Sequence, residues 1–146
     1  MTSKSIRLKL ISWFLFWVGI VFDLITKQIF FSKKWGQGII KIKSLANFGL
    51  ISGIDFGLLV NSILLLVFLV ILILYFVKYQ KELNMFHRMG MILILSGAVS
   101  NLLDRLILGY VRDWISVSLG FSFNFADVLV VAGLGLIIFP FKNKSS

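Results

Sequence analysis

The chain has 146 residues, 59% of them hydrophobic and 14% charged, with a mean hydropathy of +0.99. So much apolar surface cannot be buried in one small soluble core, which makes this an integral membrane protein. The formal charge of +9 sits in clusters outside the apolar runs, suiting contact with membrane lipids of anionic headgroup, and no basic stripe interleaved with aromatics marks a nucleic-acid partner.

Lys4, Arg7 and Lys9 precede an apolar run from Leu10 to Phe22. Together they imitate the start of a secretory signal peptide, but no small-residue cleavage site follows. The helical pattern continues through Asp23 and Lys27 to Phe31, long enough to span a bilayer. Asp23 and Lys27 stand four apart in the favourable order, so they can offset each other's burial, and an ionisable pair inside a span is also a functional-site candidate. The hydropathy then breaks, with Lys33, Lys34, Lys41, Lys43 and an alternating IIKIK run that reads as a short strand at the membrane surface. NFGLISG, residues 47–53, follows with the composition of a turn.

Phe56 to Val77 carries no charge and reads as a second span, with Asn61 near its start and Tyr75 at the far interface. A short basic connection, Lys78 to Arg88, contains His87, which reads as a solvated loop residue. Met89 to Leu108 forms a third span ending in Asn101, Asp104 and Arg105, with Gly97, Ala98 and Ser100 small enough for a neighbouring helix to approach. A connection of about fifteen residues holds Asp113 and leads to a fourth span, Phe123 to Phe141. That span opens with Asn124 and Asp127, carries Gly133 and Gly135 as packing positions, and ends near Pro140.

Alternating spans bring the end of the first, the start of the second, the end of the third and the start of the fourth to one membrane face. At about 1.5 Å per residue, Asp23 lies roughly 20 Å along from Leu10 and Asp104 about 22 Å along from Met89. Asn61 and Asp127 enter from that face, so a shared polar pocket is expected, shielded from lipid. The basic residues favour cytoplasmic termini, which turns the pocket outward.

Cysteine is absent and His87 is the single histidine, which removes thiolate chemistry, cysteine-ligated metals, His-rich metal sites and a Ser-His-Asp triad. A pocket of carboxylates and amides suits ion or proton handling, or hydrolysis by two carboxylates of which one keeps a proton. Spacing alone does not choose the pair among Asp104, Asp113 and Asp127. A small ion- or proton-coupled transporter using Asp23, Lys27 and Asp104 is the alternative from another class, although the apolar far halves of the second and fourth spans favour a one-sided site.

The motifs FDLITK (Asp23, Lys27), NFGLISG (Asn47, Gly49), SNLLDR (Asn101, Asp104, Arg105), GYVRDW (Gly109 to Trp114) and FNFAD (Asn124, Asp127) resemble those of the lipoprotein signal peptidases, or signal peptidase II, over most of the chain. The resemblance implies a single integral membrane peptidase domain over residues 1–146, all-α, with four transmembrane helices and a small β-cradle on the outer face. It implies Asp113 and Asp127 as a catalytic dyad. Asp23, Lys27, Asn47, Asn101, Arg105 and Asn124 would shape the site and hold the substrate backbone, with Lys27 paired to Asp23, while Asp104 would be scaffold. The implied substrate is a prolipoprotein with diacylglyceryl on its cysteine, cut just before that residue by a monomer in the bacterial cytoplasmic membrane, without cofactor or metal. An inactive relative that only binds lipidated peptides would share these features. The chain departs from the pattern at Ser100, where glycine is usual, at Ile51 and Ser52, at Trp114, where phenylalanine is usual, and at Arg112. The last sets a cation beside Asp113 in sequence and would favour its ionised form.

Overall fold

A computed structural model of the chain describes residues 3–36, 38–49 and 56–139. Four helices, α1 (Ser3–Phe30), α2 (Leu58–Tyr79), α3 (Met85–Leu108) and α4 (Phe125–Ile138), are joined with three strands, β1 (Ile40–Asn47), β2 (Val111–Val117) and β3 (Ser122–Phe123). The architecture is mostly helical with one small antiparallel sheet in the order β1-β2-β3. Three helical stretches, Leu10–Phe30, Leu58–Tyr79 and Met85–Leu108, are long and apolar enough to cross a membrane, whereas α4 has 14 residues. At about 1.5 Å per residue α4 is roughly 21 Å long, short of a hydrocarbon core.

α3 is the central element and packs against α1, α2 and α4. Its small residues explain why. A Cβ on Gly97 would lie 2.4 Å from the Ala126 carbonyl oxygen, and Cβ atoms on Gly90 and Gly133 would each meet the other's carbonyl oxygen, at 2.6 and 2.5 Å. Backbone therefore touches backbone along the α3–α4 crossing. Gly133 is a packing glycine as expected; Gly135 is not, since a Cβ there would meet nothing within 4 Å. On the other side of α3, Leu95 and Ala98 form the apolar core with Leu69 of α2, against which Phe16 of α1 packs. Most of α2 faces outward as apolar surface, the expected state of a lipid-facing helix.

α3 starts at Met85, four residues before the expected Met89, because the Asn84 side chain caps it by accepting the His87 backbone N–H. His87 is thus a first-turn helical residue and not a loop residue. Gly109, at φ +83°, ends α3 in the left-handed conformation that turns the chain into β2.

The larger difference from expectation is β2 itself. The stretch around Asp113 is a strand that pairs antiparallel with β1, from Ile40 opposite Val117 to Asn47 opposite Val111. An irregularity between Ile42 and Leu45 shifts the register, so one extra β1 residue sets which face Asn47 presents. A tight turn at Gly120 (φ +88°) then folds β3 back on β2, with Ile115 opposite Phe123. Chain reversal here delivers Asn124 beside Asp113. Ile51, Ser52, Gly53, Asp55 and Pro140 lie outside the described residues.

Candidate active site

Asp113 is fully buried on β2. Its Oδ1 accepts from Asn124 Nδ2 at 2.8 Å and its Oδ2 from Asn47 Nδ2 at 2.9 Å. Asn47 stands diagonally across the ladder from Asp113, two positions along from its direct partner Val111, which places both side chains on one face. The Asn47 Oδ1 accepts the Gly49 N–H at 3.0 Å, closing a local turn that holds the amide in this orientation.

Asp127 is placed by the helix it begins. Asn124 and Asp127 form a reciprocal capping box: Asn124 Oδ1 accepts the Asp127 N–H at 3.1 Å, and Asp127 Oδ2 accepts the Asn124 N–H at 3.0 Å. The other Asp127 oxygen accepts from Asn101 Nδ2 at 2.9 Å. Asn101 Oδ1 in turn accepts from Lys27 Nζ at 2.9 Å and from Asn124 Nδ2 at 3.1 Å. A cation on that oxygen fixes which way the Asn101 amide points, so its NH2 must face Asp127. Asn124 thereby touches both carboxylates, and Asn101 reaches Asp127 directly.

Below this pair lies a charged network of a different kind. Lys27 Nζ is 2.7 Å from Asp23 Oδ2 and 3.2 Å from Asp104 Oδ2, with Asp23 and Lys27 completely buried. Asp104 also receives the Arg112 guanidinium at 2.8 Å and the Arg112 backbone N–H at 3.0 Å. Two carboxylates and two cations thus close a neutral chain, Asp23–Lys27–Asp104–Arg112, the condition under which buried charges are tolerated. Arg112 is therefore not a counter-ion to Asp113. Successive strand residues point to opposite faces, so Arg112 turns toward α1 and α3, where Nη1 also donates to Gln28 Oε1 at 3.2 Å.

The consequence is electrostatic. Among the described residues no salt bridge reaches Asp113 or Asp127. Burial pushes the Asp113 carboxyl up to about 7, and the nearby Asp127 charge adds to the rise, against the lowering effect of the Asn47 and Asn124 hydrogen bonds and of Lys27. Asp113 thus keeps its proton in mildly acidic surroundings while the neutral network carries the cations.

The remaining expected residues are framing groups. Asp23 Oδ1 accepts the Ala126 backbone N–H at 2.7 Å, tying the first turn of α4 to α1. Arg105 donates to the Gly49 carbonyl at 2.6 Å and so holds the segment just after Asn47, while its buried Nε has no partner among the described residues. Asn61 donates to the Phe48 carbonyl at 2.8 Å and pins the same segment from α2. Asp23, Asn61, Asp104 and Asp127 share one end of the helices, as their depth along the spans predicts, and Lys27, Asn47, Asn101, Arg105, Asp113 and Asn124 gather there with them.

Two contributors have roles that the sequence reading did not assign. Ser100 Oγ donates to Asp23 Oδ2 at 2.6 Å, so the hydroxyl, more than the small size, matters there. Its position four residues before Asp104 on one helix face was the available signal. Trp114 stacks on Phe30 with ring centroids 4.6 Å apart, joining β2 to the end of α1.

This fold and site define a multi-pass membrane protein with two carboxylates held by amides at one end and, among the described residues, joined by no salt bridge, the arrangement of a membrane hydrolase. The model of the family described as signal peptidase (SPase) II matches residues 15–142. A lipoprotein signal peptidase of Clostridium novyi is 37% identical over 129 residues, covering 79% of this chain and 86% of the relative. One from Fusobacterium nucleatum is 32% identical over 147 aligned positions, covering 94% and 89%. A solved bacterial membrane enzyme, determined by the in meso method at 2.3 Å resolution, superposes with a TM-score of 0.75 at 27% identity, covering 87% of this chain and 84% of its own. The chain belongs to the signal peptidase II family. It is a membrane peptidase, of the aspartic type that the family implies.

Proposed function

We propose that this chain removes signal peptides from prolipoproteins carrying diacylglyceryl on the cysteine, cutting just before that residue, with Asp113 and Asp127 as the catalytic dyad. The observation that carries the reading is the pair of carboxylates bridged by Asn124, Asp113 fully buried and Asp127 partly so, both without a salt-bridge partner among the described residues. Such a pair can retain one proton between two roles. The relatives' names, lipoprotein signal peptidase, supply the substrate class.

In this scheme Asp113 enters as the acid and Asp127 as the base. Water attacks the scissile carbonyl carbon as Asp127 takes its proton, and Asp113 gives its own proton to the carbonyl oxygen, forming a gem-diol. The C–N bond then breaks: Asp127 delivers its proton to the leaving nitrogen, and a gem-diol hydroxyl returns one to Asp113 as the new carboxylic acid forms. Arg105 and Asn47, which hold the segment at Gly49 beside Asp113, would position the extended substrate backbone in this scheme.

The proposed setting is a bacterial cytoplasmic membrane, with both termini cytoplasmic, the sheet and site outward, and α4 as a fourth transmembrane element of a monomer acting without cofactor. The basic bias toward the termini and the second connection supports that orientation. The transporter alternative loses support because the buried Asp23, Lys27 and Asp104 are neutralised together with the partly exposed Arg112 in one hydrogen-bonded network.

The test is direct. Purified protein is incubated with a diacylglyceryl-modified precursor and with its unmodified form, and the products are read by mass spectrometry. Cleavage before the lipidated cysteine alone supports the proposal. Binding without cleavage would make the chain an inactive lipopeptide-binding relative.

A further inference from the structure

Toward the other end of the helices from Asp113 and Asp127, residues of α1, α2 and α3 line a cleft of about 370 Å³ that is open on one side. Arg88 at its rim and Asp104 in the site are sixteen residues apart on α3, about 24 Å along the axis. The walls are mostly apolar, with Trp13 and Phe16 from α1, Phe76 from α2 and Leu95 from α3, while Ser12, Gln80 and Arg88 are the polar lining residues. The volume is that of a small-ligand site.

The rim chemistry narrows the occupant. Arg88 Nη2 donates to the Gln80 main-chain oxygen, which fixes the guanidinium at the cleft mouth. Among the described residues no carboxylate forms a salt bridge with it. Around this end the sequence places Lys4, Arg7, Lys9, Lys78 and Lys81 with Glu82 as the single acid. A half-buried arginine at the mouth of an apolar slot is complementary to a ligand with an anionic oxygen head and a hydrocarbon tail. A leader helix, by contrast, begins with positive charge and would be repelled.

We infer that this cleft is an anionic-phospholipid site, with the phosphate on Arg88 and an acyl chain lying between Phe16, Phe76 and Leu95, separate from the peptidase site.

The experiment is native mass spectrometry of the full chain in detergent micelles, titrated with dioleoyl phosphatidylglycerol or dioleoyl phosphatidylcholine. One retained phosphatidylglycerol per protein is expected, bound at least about tenfold more tightly than phosphatidylcholine, with that preference lost in Arg88→Gln and largely kept in Arg88→Lys. Ile73→Trp, which narrows the cleft from its outward side, should weaken both lipids, and Arg7→Gln should change neither. Equal binding of the two lipids, an unchanged preference in Arg88→Gln, or an equal loss in Arg7→Gln would overturn the site in favour of diffuse charge. Displacement of the bound lipid by a cationic leader peptide would overturn it in favour of substrate. Should Arg88→Gln fail to fold, Arg88→Lys and Ile73→Trp still decide the matter.

Discussion

The Arg112 guanidinium lies 2.8 Å from Asp104 and faces away from Asp113, its neighbour in sequence. Strand geometry causes this, since adjacent side chains of β2 leave by opposite faces. The cation thus balances the scaffold, and the proposed dyad keeps its proton. Arg112→Leu should therefore weaken the fold, by about 1–3 kcal/mol as Asp104 loses one of its two cations. The pH at which activity is lost should stay put. Melting in detergent and a pH–rate profile read the two effects; a profile displaced in Arg112→Leu would place the cation's influence on the dyad after all.

For the dyad, Asp113→Asn and Asp127→Asn should each lower cleavage of a lipidated precursor by about 10²- to 10⁴-fold, because an amide keeps the shape but exchanges no proton. The double variant should be hardly worse than either single one, since the two groups act as a unit. Glu82→Gln, exposed at the far end of the helices, is the control. Near-normal cleavage by either single variant refutes the assignment.

The pH dependence follows from Asp113. Its folded-state value near 7 lies above the ordinary 3.8, so folding favours the protonated form. That contribution to stability is complete below about 4, declines as the unfolded chain ionises first, and is gone once pH passes about 7. In activity, kcat/KM should fall above about pH 7 as the acid is lost. In melting, Asp113→Asn should gain on the parent protein between pH 5 and pH 8. A parent profile flat from pH 6 to 9 would be incompatible with Asp113 as the acid.

Lys27 has three partners, Asp23, Asp104 and Asn101, and no exposure. Lys27→Met should cost about 3–5 kcal/mol, the range for breaking a buried pair from one side. Asp23→Asn should cost less, because Lys27 keeps Asp104, yet it should slow cleavage through the loosened Ala126 anchor of α4. The comparison needs both melting and activity: equal melting losses would show that Asp104 does not share the cation.

Along the α3–α4 crossing, Gly97→Ala should destabilise by about 1–3 kcal/mol as its Cβ meets the Ala126 carbonyl, and activity should fall with it because Ala126 adjoins Asp127. Gly135→Ala meets open space and should stabilise by about 0.5–1 kcal/mol. Thermal melts of the two variants are enough to check the contrast.

What the sequence determined by itself is whatever one dimension encodes: the membrane class, the long apolar runs, the Asp23–Lys27 spacing, the IIKIK strand and the depth that brings Asp23, Asn61, Asp104 and Asp127 to one end. Even the capping box of Asn124 and Asp127 is a local pattern, legible at its spacing of three. Tertiary structure decided the rest. β2 did not read as a strand because its partner is β1, across two helices, and a lone VRDWISV run has no ladder to satisfy its backbone. The face shown by Asn47 depends on one extra residue in β1, the orientation of Asn101 on a cation from α1, and the role of Ser100 on a carboxylate 77 positions away. Above all, which of the three aspartates form no salt bridge among the described residues is a property of where Lys27 and Arg112 point once folded. Electrostatics acts through space over a few ångströms, and those distances exist only after the helices have packed.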